Sequence, residues 1–142
     1  MRPVSARTVL RCAIGLVLLA TAAGKLADLR GFEDVLATYR VLSPPARGWI
    51  AVAVPSVELV VAGCLLSGRA LRPAASASAA LHAIYATWSA GNLLRGVRVS
   101  NCGCFGVFFP RPLTWWTVAE DVLLAALSGL LWWRAEPGGS SA

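Results

Sequence analysis

The segment Asn101-Cys102-Gly103-Cys104-Phe105-Gly106 holds two thiols separated by one residue. Bonded cysteines need alpha carbons about 4.4 to 6.8 Å apart, so this pair closes only if the backbone turns, which Gly103 and Gly106 permit. A structural disulfide stabilises by closing a long loop, and this one closes almost none. A ring so small is strained and easier to reduce, as an exchanging pair needs to be. The spacing is read as thiol-disulfide exchange, with Cys102 and Cys104 as the reacting residues, against a metal-ligand pair or a structural pair. Metal binding is disfavoured because no His or second Cys pair lies near in sequence. Arg95 and Arg98, a few residues upstream, would favour the thiolate.

Lys25 and Glu58 stand inside apolar runs, where an ionisable residue marks a function or a buried pair. On ideal helices their depths differ by about 10 Å, so only the long Lys stem or a kink at Pro55 would bring them together. Structural pairing and proton handling both stay open for them. His82, Tyr85, Ser89 and Asn92 follow at spacings of three, four and three and form one polar stripe on a helix. Such a stripe suits a small cavity or a quinone site, or else interhelical hydrogen bonding. Cys12 and Cys64 fall at similar depth in two apolar runs. A second dithiol is their functional reading, and small buried hydrophobes the plainer one. Glu120 and Asp121 add two carboxylates to a further apolar run.

The elements that must position these residues follow from composition. Of 142 residues, 57% are hydrophobic and 14% charged, with mean hydropathy +0.65. An ordinary soluble domain is about 45 to 50% apolar and about 25% charged. A chain of this length makes one domain and buries only about two thirds of its unfolded surface, so the apolar surplus belongs in lipid. A disordered segment, a disulfide-rich secreted mini-protein and a large multidomain enzyme are excluded. The net charge of +6 does not imply a nucleic-acid partner. Its Lys and Arg residues are scattered between apolar runs, as the flanks of membrane helices are.

Four segments have the roughly 20 mostly apolar residues that a span needs: Thr8 to Ala27, Trp49 to Gly68, Pro73 to Leu94 and Thr114 to Trp133. The basic start before the first could open a signal peptide. Three further apolar segments and no soluble domain follow, so a retained first span is expected. Between spans one and two, Phe32, Val35, Leu36, Tyr39 and Leu42 recur at helical spacing, which predicts a short amphipathic helix on the membrane surface ended by Ser43-Pro44-Pro45. Arg69 to Arg72 makes a tight hairpin, and the Cys pair lies in the connection from Arg95 to Leu113. Ala74 to Ala80 is all small residues, for close helix packing. Trp115, Trp116, Trp132 and Trp133 bracket span four as interfacial anchors. The predicted fold is all-α: an integral membrane four-helix bundle over 1–134 with a short amphipathic surface helix between spans one and two, then a disordered tail at 135–142. The basic residues divide evenly between the two sides. The basic cluster before span one and the very short basic loop favour both termini in the cytoplasm, with the Cys pair on the oxidising side.

Ala23-Gly24-Lys25-Leu26-Ala27-Asp28, then Phe32, Leu36 and Tyr39 with Pro44 after them, Pro55 to Glu58 with Gly63, Arg95-Gly96 and Cys102-Gly103-Cys104-Phe105-Gly106 together resemble the methylamine utilisation protein MauE family, within the wider DoxX-like group of small four-helix membrane proteins. The resemblance runs from span one into span four, and Cys-Gly-Cys-Phe-Gly is its specific part. Glu120-Asp121 departs from an Arg-Asn-like pair in many relatives. The resemblance implies a multi-pass protein of the cytoplasmic membrane that helps mature the disulfide-rich small subunit of methylamine dehydrogenase. Its implied partner is a thioredoxin-like protein or a disulfide-containing client. No cofactor motif is evident. The architecture is also similar to that of four-helix membrane proteins coupling an exposed Cys pair to a quinone, a likeness of fold only. The leading expectation is a thiol-disulfide relay component, with Lys25, Glu58, His82 and Arg95 in supporting roles. The alternatives are a non-catalytic scaffold or maturation factor that binds a thioredoxin-like partner, and transport based on Lys25 and Glu58.

Overall fold

Ser5 opens the first helix: its hydroxyl accepts a hydrogen bond from the Thr8 N–H at 3.2 Å, satisfying one of the orphan donors of the first turn. The computed structural model describes residues 5–135, and α1 runs from Ala6 to Leu26. Asp28 then caps α2, Leu29–Thr38, by accepting from Gly31 N–H at 2.8 Å. Arg40, at φ 56°, turns the chain back. Pro44 and Pro45 do not end α2, which has already stopped at Thr38; they start α3, Pro44–Ser67, in the first turn, where a missing N–H costs nothing. This helix therefore begins five residues before the expected Trp49 and carries Pro55 within it. Gly68, at φ 75°, ends α3. The Arg11 guanidinium reaches across from α1 and donates to the Leu65 and Leu66 carbonyls at 2.7 and 2.6 Å, serving the last turn as a cationic cap. The remaining helices are α4, Leu71–Leu94, and α5, Trp115–Arg134.

The five helices confirm the all-α class, and no strand occurs among the described residues. They pack as two pairs, α1 with α3 and α4 with α5, and α2 lies across α3. The α4–α5 contact is close because α4 presents Ala74, Ala75 and Ser78, all buried, and Ser78 shares a hydrogen bond with Ser128 of α5 at 2.9 Å. The main apolar core, built on Ile14, Leu18, Val61, Leu65 and Leu131, fills one end. A smaller cluster of Phe32, Leu36 and Ala51 fills the other.

α1 and α3 are long and apolar enough to cross a membrane, with mean hydropathies of 1.8 and 2.1. α4 and α5 have 24 and 20 residues, a span's length at about 1.5 Å per residue. Large apolar side chains such as Leu16, Val60, Ile84 and Leu123 face outward, more than a water-facing surface ordinarily shows. The short amphipathic helix differs from its expected setting. Its apolar residues Phe32, Val35 and Leu36 are buried, with Phe32 and Val35 against Gly103, so that face covers the end of the bundle instead of lying on lipid. Of the expected disordered tail, Ala135 is buried and its N–H bonds to the Leu131 carbonyl at 3.0 Å, while 136–142 lie outside the described residues.

Candidate functional site

Cys102 and Cys104 are disulfide-bonded, with alpha carbons 5.5 Å apart, and both are half-buried. Gly103 adopts φ 81°, a left-handed conformation that lets the chain turn between them. Asn101 braces the turn from both sides: its Oδ1 accepts from Gly103 N–H at 2.9 Å and its Nδ2 donates to the Gly106 carbonyl at 3.0 Å. The returning arm of the loop pairs with the outgoing one, Cys102 N–H to Arg111 carbonyl at 2.7 Å and Leu113 N–H to Val99 carbonyl at 3.1 Å. Arg111 in turn binds the Glu120 carboxylate at 2.8 Å, tying the loop to α5. The hydrogen bond from Arg111 to Glu120 holds the guanidinium above its ordinary pKa.

Tyr39 adds a tether from α2, its hydroxyl donating to the Cys102 carbonyl at 2.8 Å. Burial pushes this phenol from 10.0 up to about 12. An acid whose folded pKa is raised binds its proton more tightly in the folded state. Its contribution is therefore complete below the ordinary value and is lost as pH rises from 10.0 toward about 12. Tyr39→Phe should cost about 0.5 to 1.5 kcal/mol. The variant should also lose part of the alkaline fall in stability, as read from unfolding in detergent across that pH range.

The loop seats directly on α1 through backbone. A Cβ placed on Gly24 would run into the Phe105 carbonyl, and one placed on Gly106 would run into the Gly24 carbonyl. Gly106 also adopts φ 71°. Gly106→Ala combines a left-handed strain of about 1 to 2 kcal/mol with a backbone clash of about 1 to 3 kcal/mol. The expected outcome is a clear drop in melting temperature and faster reaction of the Cys pair with a reductant, as the loop lifts from α1.

Beneath the loop, the Lys25 ammonium donates to both Glu58 oxygens, at 2.7 and 2.9 Å, and the Tyr85 hydroxyl donates to Glu58 Oε1 at 2.6 Å. The separation in depth between Lys25 and Glu58 is thus bridged, and both side chains are almost wholly buried. The ammonium also stands 5.4 Å from the Tyr85 ring centre and 5.7 Å from that of Phe32. His82 Nδ1 lies 2.9 Å from the Ser78 carbonyl. A carbonyl can only accept, so Nδ1 carries the proton and Nε2 is left as an acceptor in the neutral ring.

A cavity of about 580 Å³ lies under the loop and between the two helix pairs. It brings together Cys102, Cys104, Lys25, Glu58 and His82, with Tyr85 and Ser89 of the stripe. It does not include Arg95, whose guanidinium donates to Asn92 Oδ1 at 2.9 Å beside a neighbouring shallow groove that shares Ile84 and Trp88 with the cavity. The arginine that lines the cavity with the Cys pair is Arg111, which sequence reasoning missed; its signal was the opposite charge of Glu120, at a spacing that no helix or strand period singles out. Cys12 and Cys64 are free thiols and are not in the lining; Cys64 packs on the main core. Among the described residues no group of three His, Cys, Asp or Glu is placed to hold a metal ion.

Fold and site together define a small all-helical protein, with two helices apolar enough to cross a membrane, that carries an adjacent cysteine pair braced above a buried Lys–Glu–Tyr cluster. Residues 4–134 match the family model described as "Methylamine utilisation protein MauE", and the chain belongs to that family. It is 36% identical over 119 residues to the methylamine utilization protein MauE of Paracoccus denitrificans, covering 84% of this chain and 64% of that protein. It is 32% identical over 128 residues to the protein of the same name from Paracoccus versutus, covering 87% of this chain and 69% of that one. The chain thus spans roughly two thirds of the length of these curated relatives. No solved structure matches.

Proposed function

We propose that this protein is a membrane accessory factor of methylamine utilisation that exchanges thiols and disulfides outside the cytoplasm through Cys102 and Cys104. The observation that carries the reading is the braced Cys102–Cys104 disulfide, half-buried on a loop rather than stapling distant elements. In exchange, a thiolate of a thioredoxin-like partner or a client attacks one sulfur of the pair and displaces the other as thiolate. The partner's second thiol then attacks the mixed disulfide, leaving the partner oxidised and Cys102 and Cys104 as a dithiol; the reverse sequence reduces a partner's disulfide. The reading places α1, α3, α4 and α5 across the bilayer, both termini in the cytoplasm and the Cys loop with α2 outside. The pathway follows the names of the relatives, which say methylamine utilization, and the task of maturing the methylamine dehydrogenase small subunit follows the resemblance in motif alone.

A membrane-impermeant maleimide added to intact cells tests topology and redox state together. Cys102 and Cys104 are expected to label only after reduction, and Cys12 and Cys64 only after the membrane is opened. Labelling of the loop cysteines without prior reduction, or only in opened cells, would overturn the assignment.

A further inference from the structure

The cavity under the Cys loop has features that exchange with a protein partner does not use. At about 580 Å³ it is within the range of small-molecule sites, and its walls are largely apolar. Its lining includes Ile84 and Leu123, which are 62% and 59% exposed on the outward flanks of α4 and α5, so the space opens sideways toward what would be lipid. Its few polar groups are unusually placed. Lys25 has three N–H donors and gives two to Glu58, leaving one for a ligand. Asp121 lines the same space, and its buried Oδ2 has no hydrogen-bond partner among the described residues. An unsatisfied buried acceptor is rare and calls for a donor. The cavity is also lined by both sulfur-bearing residues of the loop.

We propose that this cavity binds the ring of a lipid-soluble isoprenoid quinone, which reoxidises the Cys102–Cys104 dithiol; the proposal rests on the thiol-exchange reading above. A quinone suits the site in both of its redox states. The oxidised ring offers carbonyl oxygens, which accept from Lys25, and the quinol offers hydroxyl donors, which satisfy Asp121 Oδ2. Its tail leaves past Ile84 and Leu123. In the step itself, the two thiols release two electrons and two protons and form the S–S bond, while the quinone takes up two electrons and two protons to become the quinol. A lipid acyl chain would fill the apolar walls but would leave the Lys25 N–H and Asp121 Oδ2 unserved.

The test uses the full chain in nanodiscs, reduced beforehand and kept free of oxygen, with decylubiquinone or a short-tailed menaquinone analogue as oxidant. One quinol should form for each pair of thiols lost. Ile84→Trp, which narrows the opening, should slow quinol formation about tenfold or more, the scale of a poorly tolerated overpacking. Val60→Trp, on an outward face of α3 away from the cavity, should not slow it. Binding is read separately on the Cys102→Ser/Cys104→Ser protein, which should still bind either quinone and quench Trp88 fluorescence, since Trp88 also lines the cavity. If the wild-type dithiol exchanges with a soluble aromatic disulfide but neither quinone oxidises it, the quinone inference falls and thiol exchange stands. If the dithiol reacts with neither oxidant, both fall. Equal rates for the Ile84→Trp and wild-type proteins would also overturn the placement.

Discussion

Cys102→Ser and Cys104→Ser, each alone, should accumulate a covalent adduct that runs as a larger species on non-reducing gels and collapses on reduction. The remaining thiolate still attacks a partner's disulfide and displaces one of its sulfurs, but no neighbouring sulfur is left to resolve the mixed disulfide. The double variant should form no adduct and should lose maturation entirely. Serine is nearly isosteric with cysteine, and the bracing from Asn101, Tyr39 and Arg111 goes to or comes from backbone atoms of the loop, so the loop should keep its shape. A loss of function in the folded double variant therefore reports chemistry rather than collapse. A scaffold that uses the loop only as a surface would behave differently. Full maturation by the double variant, with no adduct from either single variant, would leave the scaffold reading standing and remove the exchange reading.

The parts of this site that were legible in the sequence are those where a polar residue is conspicuous against an apolar background. Lys25 and Glu58 interrupt spans, and His82 and Tyr85 mark one helix face; the structure brings all four to the same cavity as the Cys pair. What was not legible depends on tertiary geometry. Arg95 is nearer to Cys102 in sequence than Arg111 is, yet it sits at the end of α4, where Asn92 takes its guanidinium, while the returning arm carries Arg111 back beside Cys102. The seat of the loop on α1 is a backbone contact between Gly24 and Gly106, and a contact without side chains leaves no periodic signal. The apolar face of α2 is legible in the spacing of Phe32, Val35 and Leu36, and its expected setting on the membrane surface is not where the structure puts it. Periodicity does not distinguish lipid from a glycine turn as the cover of that face, and the turn at Gly103 provides it.

Glu58→Ala should be among the most destabilising single changes in the molecule, by about 3 to 5 kcal/mol, because it leaves a buried ammonium without its counter-ion. Glu58 is 0% exposed and Lys25 4%, so losing the carboxylate leaves a buried ammonium without either of its oxygen acceptors, and the Tyr85 hydroxyl loses its acceptor as well. Lys25→Met should cost less, since the remaining carboxyl keeps the hydrogen bond from Tyr85. The informative variant is the pair Lys25→Met/Glu58→Leu. Replacing a buried ion pair by apolar residues of similar volume is often neutral or stabilising, so the double variant should recover most of the melting temperature lost in Glu58→Ala. Stability and function then separate. If the ion pair only holds α1 to α3, the double variant matures its client normally. If its groups serve the redox cavity, the double variant folds but fails, and quinol formation fails with it. Lys25 keeps a free N–H toward a space that also contains the Cys pair, a feature that a purely structural bridge does not require, so the second outcome is expected.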